Sequence, residues 1–152
     1  MSHSETLPAI AAPTITAPAS TLPPGRRIAR RIGVVLAGLV AIFAVTTAVD
    51  VVMHATGVFP PASAPPMSGA LFLLAFAYRF VIDVAGSWLT ARLAPDRPMR
   101  HALALGWAGL ALSITGTIAM WNAGPHWYPL ALAASALPCA WLGGRLNARR
   151  AA

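Results

Sequence analysis

The sequence predicts an all-α membrane protein, an antiparallel bundle of four transmembrane helices with both termini on the cytoplasmic side. Three observations predict it. Charged residues make up 10% of the chain and hydrophobic ones 57%, where a soluble domain carries roughly 25% charge, so lipid rather than water is the expected solvent. Four apolar runs, near 32–54, 69–93, 102–122 and 127–145, are each long enough at about 1.5 Å per residue to cover most or all of a hydrocarbon core of about 30 Å. The basic residues are eleven arginines and no lysine, and all but Arg79 sit at the ends of those runs with a consistent sidedness. Four precede the first run (Arg26, Arg27, Arg30 and Arg31), three lie around the second connection (Arg92, Arg97 and Arg100), and three close the fourth (Arg145, Arg149 and Arg150). The first and third connections have none, which places the termini and the central loop in the cytoplasm by the positive-inside rule. Arginines distributed in this way are topology signals and not a nucleic-acid-binding face.

Residues 1–25 form the first segment, with Pro8, Pro13, Pro18, Pro23 and Pro24 among Ala, Thr and Ser and only Glu5 charged. Such a composition cannot bury a core, and it predicts a disordered, partly polyproline cytoplasmic tail ahead of a four-helix transmembrane domain over 26–150. The first span carries one charge, Asp50. Ala62-Ser63-Ala64 resembles a signal-peptidase site, but the apolar run is too long for an ordinary signal core and Pro65 would follow the cut, so a retained anchor is expected. Four prolines in Phe59 to Pro66 make an external loop. The second span is interrupted by Arg79 and Asp83, and Pro95 and Pro98 punctuate the short loop after it. The third span has no charge. Asn122 to His126 is a tight turn into the fourth span, where Pro138 removes a backbone donor and predicts a kink. Trp121 and Trp127 at one boundary, with Trp88, Trp107 and Trp141 toward the other, fit aromatic belts.

Helices in lipid associate through small residues that let backbones approach. Ala131, Ser135, Cys139 and Gly143 give such a stripe in span four. Gly109, Ser113 and Thr117 give another in span three, with Ala102 and Gly106 on a second face, and Gly33, Ala37 and Ala41 a third in span one. Either a bundle or a dimer would use them. Cys139 is a packing residue on this reading, and a lone cysteine excludes an internal disulfide. Trp88-Leu89-Thr90-Ala91-Arg92-Leu93 repeats in Trp141-Leu142-Gly143-Gly144-Arg145-Leu146, which reflects either a duplicated hairpin or the suitability of Trp and Arg for that interface.

Ionisable groups inside a membrane are costly and mark function by default. Asp50, Arg79 and Asp83, with Ser113 and Ser135 at similar depth, form a candidate intramembrane polar layer: either an ion pair locking spans one and two, or a path for a proton or solute. Side chains lean toward a helix's N-terminus, and the two spans run in opposite directions. Arg79 and Asp50 therefore converge, which predicts Asp50 and not Asp83 as the main partner of Arg79. His54 and His126 are outer-face candidates, too few for a metal site without a third ligand. No Walker loop, HExxH, GxSxG or CxxC occurs, and no catalytic, cofactor-binding or metal-binding residue is assigned.

Ala77-Tyr78-Arg79-Phe80, the stretch Arg92 to His101, Gly124-Pro125-His126-Trp127-Tyr128-Pro129 and Leu137 to Arg145 resemble a family of small four-span bacterial membrane proteins. The resemblance covers Arg31 to Arg145 and implies a bacterial inner membrane, without implying an activity. The expected function is that of an interaction or accessory protein, with the lipid bilayer, a second copy or another membrane protein as partner, and no nucleic acid. A small transporter or channel-forming subunit using the Asp/Arg layer is one alternative. A membrane enzyme acting at the outer face through His54, His126 and Asp50 is the other. Reporter fusions after residues 62, 97, 125 and 150 should alternate between external and cytoplasmic activity, beginning external; a cytoplasmic reporter active at 62 would overturn this topology.

Overall fold

The computed structural model describes residues 23–61, 67–119, 121, 122 and 124–151. They form four helices, α1 (Pro24–Ala55), α2 (Gly69–Leu93), α3 (Pro98–Ala119) and α4 (Trp127–Ala151). The proposed tail up to residue 22 and most of the Phe59 to Pro66 loop lie outside the described residues. Helix α2 has the bounds that its apolar run predicts. The others do not coincide with theirs. Helix α1 begins at Pro24, inside the expected tail and eight residues before the apolar run, with proline in the first turn, where its missing N–H costs nothing. Arginine is a good helix former, so the helix continues through Arg26 to Arg31. Likewise α3 starts on Pro98, and α4 extends past Arg145 to Ala151. Hydropathy marks the stretch of helix that suits lipid, not the ends of the hydrogen-bonded ladder. Gly57, at φ +75°, closes α1 in the left-handed conformation that glycine adopts without steric cost.

Helices α1, α2 and α3 are long and apolar enough to cross a membrane. Their large side chains face outward: Val51 is 61%, Val81 65% and Ile118 75% exposed, surfaces that only lipid or another protein would suit. Helix α4 falls short of that hydropathy because Trp127, Tyr128, Pro129, Ser135, Pro138 and the Gly143-Gly144 pair dilute its leucines and alanines. It is also the helix on which α2 and α3 both pack most extensively, while α1 packs on α2 and α3 and not on α4. A helix surrounded by other helices needs small residues more than apolar ones.

The small-residue stripe of α4 is at the contact with α2. Cys139 is 1% exposed and its thiol points to the Phe80 carbonyl at 3.8 Å. A Cβ on Gly143 would lie 2.6 Å from Ser87 Cβ, Trp88 N and Val84 O, so backbone meets backbone there. On its other side α4 meets α3, where Gly106 lies against Ala140 and Ala102 is fully buried. The stripe expected in α1 is not the one used. Gly33 has open space around it and Ala37 is exposed, whereas Gly38 is buried against Thr90 and Leu105. Ile42, one turn on, fills the space left by Gly86 of α2. Gly109 of α3 likewise faces open space. Helix α4 runs unbroken through Pro138.

These contacts orient the bundle. All the arginines but Arg79 gather at one end, where α1 and α3 begin and α2 and α4 finish, and at the opposite end α1 and α3 finish and α2 and α4 begin. At the arginine end Arg31 Nε and Nη2 donate to Asp96 Oδ1 and Oδ2 at 3.1 and 2.5 Å, tying α1 to the α2–α3 connection. Arg92 and Arg145 each stack on the tryptophan one turn earlier, Trp88 and Trp141, at 5.3 and 4.7 Å. The repeated Trp-x-x-x-Arg is thus a local cation–π pair at helical spacing.

Gly143→Leu should lower the unfolding midpoint in detergent by the equivalent of about 3 kcal/mol, at the upper end for overpacking because backbone is what it strikes. Ile118→Ala, on the exposed face of α3, should leave the midpoint nearly unchanged. Equal behaviour of the two would remove the packing role assigned to Gly143.

Candidate functional site

Midway along α2, Arg79 reaches across to α1. Its Nη2 donates to Asp50 Oδ2 at 2.6 Å, and both side chains are close to 30% exposed. The second carboxylate oxygen, Oδ1, accepts from the Tyr78 hydroxyl. Two consecutive residues of α2 therefore hold one carboxylate of α1. The pairing agrees with the tilt of antiparallel helices: Asp50 leans toward the arginine end and Arg79 toward the opposite end, so the two meet. Tyr78 is a member that sequence reasoning missed, although it adjoins Arg79. Phe59, only 4% exposed, packs beside it at 6.5 Å between ring centres and meets the His54 ring edge-on at 5.5 Å. This aromatic plug covers the pair from the end of α1.

Asp83, one turn from Arg79 on α2, has no hydrogen bond or ion pair among the described residues. It lies on the wall of a lateral cleft of about 800 Å³ bounded by α1, α2, α3 and α4. The cleft exists because α1 and α4 do not meet. Its walls are apolar, with Leu39, Val40 and Phe43 from α1 facing Leu112 of α3 and Leu132 of α4. Its polar lining consists of Arg79, Asp83 and Ser87 from α2, Thr46 from α1, Ser113 and Thr117 from α3, and Tyr128 from α4. Gly109 and Gly116 widen it on the α3 side. Arg79 Nε is buried without a hydrogen-bond partner among the described residues, so the guanidinium has a donor left over after Asp50 is bound.

The expected polar layer is therefore divided. Asp50 and Arg79 are joined, and Asp83 and Ser113 share the cleft with Arg79. Ser135 is 8% exposed, donates to the Leu132 carbonyl of its own helix at 2.9 Å and does not line the cleft. The outer-face candidates do not converge with Asp50 on a common pocket. His54 Nδ1 lies 2.8 Å from the Asp50 backbone carbonyl, a bond within α1, and His126 stacks on Trp121 at 4.3 Å. Neither histidine lines the cleft, and among the described residues no three His, Cys, Asp or Glu side chains come together as metal ligands would. What the geometry offers is an apolar chamber lined by one carboxylate, Asp83, and one guanidinium, Arg79, which is bound to Asp50 beside it.

No family model, curated protein or solved structure matches the chain.

Asp50→Asn and Arg79→Gln should each destabilise the folded protein by about 3 kcal/mol, the low end for breaking a buried pair because both groups keep some exposure. The double variant should recover part of that loss, read as a positive coupling in the detergent unfolding midpoint. Strictly additive losses would mean that the pair does not hold α1.

Proposed function

We propose that the chain is a multi-pass protein of the bacterial inner membrane, with four spans and both termini cytoplasmic, that serves as an accessory protein by holding a membrane-soluble ligand in its lateral cleft. The cleft carries the reading. Its volume of about 800 Å³ is in the range of ligand pockets, roughly 300–1,000 Å³, and it combines apolar walls with a few convergent polar groups, as such pockets do. A position for α4 across the bilayer is supported by its packing: a helix clasped between α2 and α3 along its length shares their depth. The sidedness of the ten flanking arginines supports the orientation.

A second reading, a small transporter or a subunit of one, is favoured by Asp83. An intramembrane carboxylate with no hydrogen bond or ion pair among the described residues is suited to take a proton, a cation or water, and a solute passing the cleft would meet it. The two readings share the site and differ in whether the occupant leaves on the other side.

A photo-crosslinking residue substituted at Leu112 or Phe43 in living cells should give adducts of defined mass, while one at Ile118 should give the bulk lipid distribution. Gly109→Leu, which meets nothing within 4 Å on its first atom, should fill the cleft, suppress those adducts and leave the unfolding midpoint unchanged. Identical adduct profiles at cleft and lipid-facing positions would end the ligand-holding proposal. Uptake or efflux of the identified occupant by reconstituted vesicles would select the transporter reading.

A further inference from the structure

A second cavity, about 420 Å³, opens between α1 and α3 at the arginine end, away from the cleft. Its mouth is ringed by Arg31, Arg97 and Arg100, with Asp96 as the one acid. Arg31 is committed to Asp96 through two hydrogen bonds, at 3.1 and 2.5 Å. Arg97 and Arg100 make no side-chain hydrogen bond or ion pair among the described residues, so the mouth keeps two uncompensated positive charges. The floor changes character: Ile32, Val35, Leu36 and Ala104 are apolar, and Ile32 and Leu36, each 54% exposed, run on into the outward apolar face of α1.

The backbone at the mouth is held in an uncommon form. Arg97 is the one non-glycine residue with positive φ among the described residues, at +42°, between Pro95 and the Pro98 that starts α3. In that conformation its carbonyl accepts from Arg100 N at 2.9 Å and lies 3.4 Å from His101 Nδ1. Strained backbone of this kind persists where the surroundings over-determine it and often accompanies a binding site. Arg97 directly precedes α3 and Arg100 stands in its first turn, where the helix dipole favours an anion.

We propose that this pocket binds an acidic phospholipid, with the phosphate between Arg97 and Arg100 and one acyl chain along Ile32 and Leu36. Guanidinium donors match phosphate oxygens in geometry and charge. A water-soluble anion would use the arginines and leave the apolar wall uncovered; a lipid uses both, and basic pockets between helices at the cytoplasmic surface are suited to such headgroups. The loose contact between α1 and α3, slighter than those around α4, leaves the seam in which the chain lies. This site is separate from the cleft, and the proposal does not rest on what the cleft holds.

The test uses the full-length purified protein in neutral detergent, titrated with short-chain phosphatidylglycerol or phosphatidylcholine and read by native mass spectrometry. Phosphatidylglycerol should bind with defined stoichiometry and phosphatidylcholine should not. Arg97→Gln/Arg100→Gln should weaken phosphatidylglycerol binding about thirtyfold, at roughly fivefold per surface arginine. Arg26→Gln/Arg149→Gln removes the same charge elsewhere at the same end and should change it little. An equal loss in both double variants would mean diffuse surface attraction, and no loss in the first would mean that the pocket is not the site; either result overturns the proposal. Displacement of the lipid by millimolar inorganic phosphate would also overturn it, because the acyl chain would then contribute nothing.

Discussion

Arg79 stands near the middle of a helix long enough to cross a membrane, and its charge has to be answered by protein or water at that depth. Asp50 answers it. The cost of desolvating both groups is offset only if the pair is close and otherwise hydrogen-bonded, which is where Tyr78 enters, by occupying the second carboxylate oxygen. Satisfying Asp50 twice has a structural effect, because α1 has no contact with α4 and meets α3 only lightly. Its attachment to the bundle rests on this pair near one end, the Arg31–Asp96 pair near the other, and the Gly38 and Ile42 contacts between them. The pair also directs the ion-pair contact of Arg79 to Asp50 and not to Asp83.

The cleft follows from the same arrangement. Helices α2, α3 and α4 form a tight trio through Gly143, Cys139, Gly106 and Ala140, where backbones come close. Helix α1 leans on the outside of that trio, held by its two ion pairs and by the Gly38 and Ile42 contacts between them, and the space it fails to fill is the cleft. The chamber is thus a consequence of which helices can approach and which cannot. Its polar floor is the face of α2 that α1 leaves uncovered. Thr90, fully buried against Gly38 with a hydroxyl that has no hydrogen-bond partner among the described residues, shows how closely α1 touches α2 where it does touch.

Several features were legible in the sequence because one physical rule decided each. Helix α2 shows its length because lipid-compatible residues fill it from Gly69 to Leu93. The Arg79–Asp50 pair follows from side-chain tilt on antiparallel helices, and the burial of Gly143 and Cys139 from their spacing with Ser135 on one helix face. Other features had competing signals. Helix α1 carries small residues at Gly33, Ala37, Gly38, Ala41 and Ala44, so nearly any face could have been the packed one, and only the partner surface selects Gly38. Tyr78 looked like one more aromatic residue beside a charge. The cleft could not be read at all, since it depends on the distances between helices. Ser135 belonged with Asp83 by depth, but it faces a different direction and is used by its own backbone.

The composition of α4 bears on how the chain reaches its final state. A helix with Trp127, Tyr128, Pro129, Pro138 and two adjacent glycines has weak affinity for hydrocarbon by itself, yet it is the common partner of α2 and α3. In a four-span arrangement it would enter the bilayer last and with the least drive of its own. Entry would depend on α2 and α3 already offering the groove in which its small residues fit, and the short 120–126 connection would deliver it beside α3 as a hairpin. Folding and insertion of α4 would then be one event, so that defects in the groove would appear during biogenesis as failure of the C-terminal helix to integrate, before any mature protein exists to be destabilised.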